Sequence, residues 1–296
     1  MKFVSLLLFL ACAHFVCARP ALVFTSLTEL GWQVHIKDLE SGEIRAISKN
    51  AGDKRTPKYC AVSNRIITRG PRGTIVAYDE QGNETELVNI PNCGDISVFP
   101  GKEDVLFTRL TTGNPQRQQI WKATPPFPKE NSERITAVPK GSLRQVQPDA
   151  SGTSFLASHL WRFGEERIVL LKEREDKGLI FEFVPLTPEM RTAAYPGWLQ
   201  DEQWVCSYRV SKRNYDLYRG SVGEEKFQPL LETKEFSEFG STFDAQSNRL
   251  YFERLSREGF WSLACLDLET LEVIALNLPA ESKEPFFTDL PDTWFP

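Results

Sequence analysis

Past residue 18 the chain holds two histidines, His35 and His159, and four cysteines, Cys60, Cys93, Cys206 and Cys265. Nucleophilic catalysis needs a serine or cysteine beside a positioned base. No Gly-x-Ser-x-Gly elbow occurs, and both histidines fall inside runs that read as strands, so ordinary sheet histidines are expected. No Cys-x-x-Cys spacing is present, and two histidines are too few for the histidine-clustered metal site of a propeller lyase. No cofactor and no metal are expected. Paired carboxylates remain, since two of them flanking a sugar bond hydrolyse it. Asp95, Glu238 and Asp289 are the candidates on strands that would line an axis.

A different set points to binding. Arg72, Arg117, Arg162, Arg213 and Arg257, with Trp32, Trp161 and Tyr215, recur in segments between strand-like runs, and Lys212 and Phe260 accompany them. Arg, Trp and Tyr dominate binding hot spots, and arginine forks fit carboxylates and phosphates. Arginine is too basic to shuttle protons near neutral pH, so this set predicts recognition without turnover. Glu29, Glu165, Glu166 and Glu258 lie in the same segments and dilute any basic field.

The elements that must position these residues are strands. Short runs rich in Val, Ile, Phe, Tyr and Trp alternate with Gly, Asn, Asp and Pro turns. The runs repeat about every 40–50 residues, the range of propeller blades. An aromatic or branched residue precedes a turn at Tyr59, Val98, Val146, Trp198, Phe243 and Phe287, with proline two positions earlier at Pro57, Pro196 and Pro285. Each marker leads into a second strand, as Phe243 leads into Arg249–Leu255. Ala21–Leu27 has no such strand before it, and Pro285-Phe286-Phe287 has none after it. An all-β, single six-bladed propeller follows, with four-stranded blades and a closing blade shared between the two ends of the chain. Its inner strand is expected within Pro285–Phe295, with Phe287 as its marker and a turn at Asp289–Asp292. The Arg, Trp and Tyr set then falls on the loops joining second to third strands, all on one face.

The worn turn Gln147-Pro148-Asp149-Ala150-Ser151-Gly152, the partial Phe99-Pro100-Gly101, and the hairpins Leu39-Glu40-Ser41-Gly42-Glu43 and Leu266-Asp267-Leu268-Glu269 resemble the repeats of the TolB-like six-bladed propellers. The resemblance spans residues 19–296. It implies a propeller without the α/β domain that precedes it in TolB, and an envelope binding role. The same propeller accompanies prolyl-oligopeptidase-type peptidases, whose hydrolase domain has no counterpart here.

Residues 1–18 read as an export signal: Lys2, then the apolar stretch Phe3–Val16, then small residues around Val16-Cys17-Ala18. The stretch is short of the roughly 18–20 residues a spanning helix needs, so no membrane span is expected. A lipoprotein alternative would use Cys12. The net charge of −5 gives no footprint for nucleic acid. An exported, periplasmic or extracellular monomer is expected, binding a protein or an anionic envelope polymer. The alternatives are a hydrolase or lyase acting on carbohydrate or peptide in the central funnel, and a small-ligand or sugar-binding module. Cys60 follows its marker Tyr59, whereas Cys93 precedes Val98 by five residues. At about 3.3 Å per residue they fall well outside the roughly 4.4–6.8 Å of a disulfide, so no bridge joins them. Asn83-Glu84-Thr85 is a glycosylation triplet in an outer hairpin.

Overall fold

The computed structural model describes residues 20–112, 117–127, 132–138, 140–162, 165–173, 181–188, 191–200, 202–212, 214–224, 226–276 and 288–294; of residues 162, 173, 181, 182 and 288–294 it describes the backbone alone. The alternation of apolar runs and turns resolves into strands of antiparallel four-stranded sheets. In chain order they are β1 (Ala21–Thr28), β2 (Gly31–Asp38) and β3 (Ile44–Ala46); β4 (Arg55–Cys60), β5 (Arg65–Arg69), β6 (Thr74–Tyr78) and β7 (Glu84–Asn89); β8 (Cys93–Val98), β9 (Val105–Leu110), β10 (Gln118–Ala123) and β11 (Ser132–Arg134). Then follow β12 (Ser142–Pro148), β13 (Ser154–Arg162), β14 (Glu165–Glu173) and β15 (Phe181–Pro185); β16 (Ala193–Trp198), β17 (Gln203–Ser211), β18 (Asn214–Ser221) and β19 (Phe227–Leu231); β20 (Phe236–Asp244), β21 (Arg249–Ser256), β22 (Trp261–Asp267) and β23 (Val273–Leu276); and finally β24 (Thr288–Trp294).

Five blades run in sequence order, and the sixth is β24-β1-β2-β3. The inner strands β4, β8, β12, β16, β20 and β24 each pack on the next, and β24 returns to β4. Residues from the two ends of the chain thus close the ring, as the split repeat requires. The closing strand lies within the expected Pro285–Phe295, but its turn is misplaced, and the marker Pro285-Phe286-Phe287 lies outside the described residues. Asp289–Asp292 is strand rather than turn, and Trp294 pairs with Ala21. The reason lies in a bulge that each inner strand carries opposite its second strand, between Arg55 and Lys58, Cys93 and Ile96, Arg144 and Gln147, Ala194 and Gly197, Phe239 and Ser241, and Asp289 and Asp292. Proline lacks an N–H for the ladder and settles at bulges. Pro57, Pro196 and Pro291 share this position, so Pro291 is the counterpart that Pro285 was expected to be.

Each blade buries apolar residues on both faces, because a neighbour covers each. Leu22 and Phe24 pack with Tyr251, Leu263 and Cys265 of the preceding blade, while Ala21 and Val23 pack with Ile66, Val76 and Tyr78 of the following one. Aspartates set the hairpins: the Asp38, Asp79 and Asp267 carboxylates accept backbone N–H bonds from residues two to four ahead, at 2.7–3.1 Å. Where outer strands are short, hydroxyls replace ladder bonds: Ser48, Thr136 and Thr187 accept from the N–H groups of Val34, Ile120 and Ile168. Cys60, Cys93, Cys206 and Cys265 are free and buried; Cys60 ends β4 and Cys93 begins β8. No described helix is long and apolar enough to cross a membrane.

Candidate functional site

The hairpins between second and third strands are tighter than the sequence suggests, so part of the Arg, Trp and Tyr set stands on strands. Trp32 lies on β2, with the Arg55 guanidinium 4.0 Å from its ring centre. Trp161 lies near the end of β13, between Lys140 at 5.5 Å and Arg167 at 5.6 Å. Arg72 is exposed in a 3₁₀ turn, Pro71–Gly73, and Arg117 precedes β10. Arg162 ends β13 without a described side chain, and Arg213 lies outside the described residues. Trp32, Arg72, Arg117 and Trp161 therefore occupy four different blades. Tyr215, at the start of β18, and Arg257, in the β21–β22 hairpin, are brought together.

They meet at the seam between the β16–β19 and β20–β23 blades. A cleft of about 720 Å³ opens there, lined by Tyr215, Lys234, Phe236, Phe239, Leu255 and Arg257 among others. That volume falls within the roughly 300–1,000 Å³ of ligand pockets. Its wall is an aromatic cluster: Phe239 lies 5.0 Å from Tyr215, 5.9 Å from Tyr195 and 5.5 Å from Trp261, centre to centre. The inner-strand bulge helps to build it. Tyr195 is the bulged residue of β16, with φ at +54°, and Gly240 bulges β20 beside Phe239 with φ at +44°.

Polar groups knit the base of the cleft. The Tyr215 N–H donates to Ser237 Oγ at 3.3 Å, and Ser237 Oγ donates to Asn214 Oδ1 at 3.3 Å. Asn214 Nδ2 donates to Asp216 Oδ1 and to the Thr233 carbonyl, both at 3.0 Å. Thr233 Oγ1 donates to Glu238 Oε1 at 2.7 Å. Glu238 is fully buried, and its Oε2 has no hydrogen-bond partner. Burial pushes its carboxyl up to about 7, although Thr233 and Arg254, the latter at 3.7 Å, pull the other way. Burial also raises Asp216 and lowers Arg254, whose guanidinium stacks 3.7 Å over Phe236.

Asp95 and Glu238 do not pair with each other. Asp95 on β8 and Glu238 on β20 stand three inner strands apart, on opposite sides of the ring. Asp289 lies on β24, where the backbone alone is described. Asp95 Oδ2 accepts from the Gln145 N–H at 3.3 Å. It also helps burial to push Glu166 up to about 7, against the pull of Arg144. Both histidines are held in sheets: His35 lies 3.1 Å from Ser26 Oγ and stacks on Phe24, and His159 Nε2 is 2.9 Å from the Lys140 carbonyl. Burial lowers both. No group of three His, Cys, Asp or Glu side chains among the described residues is placed to hold a metal. A smaller cavity of about 310 Å³ opens at the other end of the inner strands, between Lys58, Val98, Pro148, Trp198 and Phe243.

Sequence reasoning missed Lys234, Phe236 and Phe239. They lie on β20 and the connection leading into it, not on a hairpin between second and third strands. Phe236 opens the run that ends at Phe243, which was the one usable signal.

The fold defines a six-bladed β-propeller. No family model matches the sequence, and no curated protein matches it. Among solved structures, TolB from Acinetobacter baumannii superposes with a TM-score of 0.71 at 17% identity, over 94% of this chain and 66% of that one. A putative TolB from Agrobacterium tumefaciens gives 0.69 at 9% identity, over 88% and 89% of the two chains. A chain of a nidogen–laminin complex gives 0.69 at 10% identity, over 93% and 98%. The chain spans just under two thirds of the first of these. The shared property is the fold, a TolB-like propeller.

Proposed function

We infer that this protein is an exported, non-catalytic binding scaffold that engages a protein or anionic envelope polymer through the face carrying the hairpins between second and third strands. The observation that carries this reading is the seam cleft, aromatic on its wall and cationic at Lys234 and Arg257. Four of the exposed large apolar side chains lie on hairpins of the same face, while Val62, Leu271 and Ile274 lie elsewhere. Leu27 and Leu30 in the β1–β2 hairpin are 45% and 47% exposed, Phe260 in the β21–β22 hairpin 55%, and Trp161 38%. Grouped exposed apolar residues rimmed by polar ones mark interaction sites. The TolB-like fold supports a scaffold role by likeness of architecture alone. Residues 1–18 supply the export signal in this reading, and the propeller begins after them.

The test is capture from an envelope extract by the protein lacking residues 1–18. Tyr215→Ala with Arg257→Ala should lose the partner, and rising salt should weaken the wild-type capture, because exposed charges are screened. Equal capture by the double variant would move the site off this face.

A further inference from the structure

The groups around the seam cleft divide into those already occupied and those still open. Asn214, Thr233 and Ser237 bond to one another and to Asp216 and Glu238 beneath them. They fix the base and have little capacity left for a guest. The open groups are of two kinds. Tyr215, Phe236 and Phe239 offer ring surface, with Leu255 beside them. Lys234 and Arg257 are exposed on the two connections flanking the cleft, and neither lies within salt-bridge distance of a carboxylate among the described residues. Glu258, next in sequence to Arg257, is held by its own backbone N–H and the Ser256 hydroxyl and is also drawn to Arg257, and Glu235 follows Lys234. Burial raises both acids behind the base, and Arg254 faces Glu238.

Rings beside two exposed cations select a ligand that is aromatic at one end and anionic within reach of it. Arginine binds carboxylates in bidentate fashion, and a chain-terminal carboxylate is a recurring recognition element. The cleft is also larger than one ring requires. Phe260 follows Gly259 of the cleft lining in the same hairpin, and the next blade exposes Leu27 and Leu30 in its β1–β2 hairpin. A free aromatic acid would leave these apolar side chains uncovered, whereas a polypeptide is long enough to reach them.

We propose that the cleft captures the C-terminal aromatic residue of a partner polypeptide, with its ring against Tyr215, Phe236 and Phe239 and its terminal carboxylate on Arg257 and Lys234. The proposal rests on the rim-face reading and names the chemistry of the partner. It requires no conformational change and no catalysis.

Calorimetric titration of the protein lacking residues 1–18 tests it with defined ligands: N-acetyl-Ala-Ala-Phe, its C-terminal amide, N-acetyl-Ala-Ala-Ala, and N-acetylphenylalanine. The free-acid tripeptide should bind at least tenfold more tightly than the amide or the alanine peptide. Arg257→Gln should reduce the acid-over-amide preference several-fold, Arg257→Gln with Lys234→Gln should erase it, and Tyr215→Leu should weaken acid and amide together. Melting temperatures near wild type would show that the variants fold. Equal binding of acid and amide overturns the proposal, and so does an Arg257→Gln variant that keeps the full preference. N-acetylphenylalanine binding as tightly as the tripeptide replaces the chain end with a free aromatic acid and overturns the polypeptide. If no ligand binds but the Tyr215/Arg257 double variant still loses its captured partner, terminal-residue capture fails and the rim-face reading survives. If capture is also unaffected, both fail.

Discussion

Glu238→Gln turns the buried acid behind the cleft into a measurement. Glu238 is fully buried and pushed up to about 7, where an ordinary glutamate sits near 4.5. At roughly 1.4 kcal/mol per unit, complete ionisation costs the folded protein on the order of 3 kcal/mol. The sign follows from the direction of the shift. The folded value lies above the unfolded one, so the stability it contributes is fully present below about pH 4.5 and is lost as pH rises through about 7. Glutamine stays neutral throughout. At pH 5 the folded wild-type acid is largely neutral, and Glu235 acts on Arg254 in both proteins, so most of the ionisation cost is still absent there. By pH 8 only the wild type bears the cost of ionisation. With roughly 2–4 °C per kcal/mol for a domain of this size, the melting temperature of the variant should gain roughly 5–10 °C on the wild type between pH 5 and pH 8. Asp216 and the other titrating groups are common to both proteins, so the difference isolates Glu238. Thermal melts by circular dichroism at pH 5, 6, 7 and 8 read it directly. A difference independent of pH would show that Glu238 is ionised throughout, and the account of a near-neutral base under the cleft would fall.

Three further outcomes are expected. Deleting residues 284–296 removes β24 from between β20 and β4 and uncovers Leu22 and Phe24, both fully buried; at roughly 1.5–3 kcal/mol per large side chain, against a total of about 5–15, the product should be insoluble or melt far lower, and an unchanged melting temperature would refute ring closure by β24. Gly73→Ala should cost at least ~2 kcal/mol in urea unfolding, because Gly73 has φ at +83° and an added Cβ would sit 2.2 Å from the Ile90 carbonyl oxygen; a neutral result would contradict that packing. The four buried thiols should react with a thiol reagent only after denaturation, and peptide mapping without reduction should find no Cys60–Cys93 bridge; that bridge would mean the register of β4 or β8 is wrong.

Nearly the whole strand ladder was legible, because each strand depends on local alternation and each turn on local chemistry. The expected strands Arg249–Leu255 and Ala21–Leu27 are β21 and β1 but for one residue at the end of each. The closing strand was harder to place. Two proline–aromatic segments, Pro285-Phe286-Phe287 and Pro291-Asp292-Thr293-Trp294, compete for one position, and only the bulge opposite β1 separates them. The candidate site was half legible. Tyr215 and Arg257 lie on hairpins that a repeat register exposes. Their meeting at one seam is a property of neighbouring blades, invisible to a reading that treats six hairpins as equivalent. Phe236 and Phe239 were passed over because an inner strand reads as core. The bulge around Gly240 and the stacking of Arg254 on Phe236 are what turn that strand's first residues toward the cleft.

Hydrogen–deuterium exchange on the protein with its captured partner tests the binding face most directly. Slowed exchange is expected in the β17–β18 and β21–β22 hairpins and in the connection from β19 into β20, with the opposite end of the inner strands unchanged. Protection confined to that opposite end, around Lys58, Val98, Pro148 and Trp198, would contradict the account.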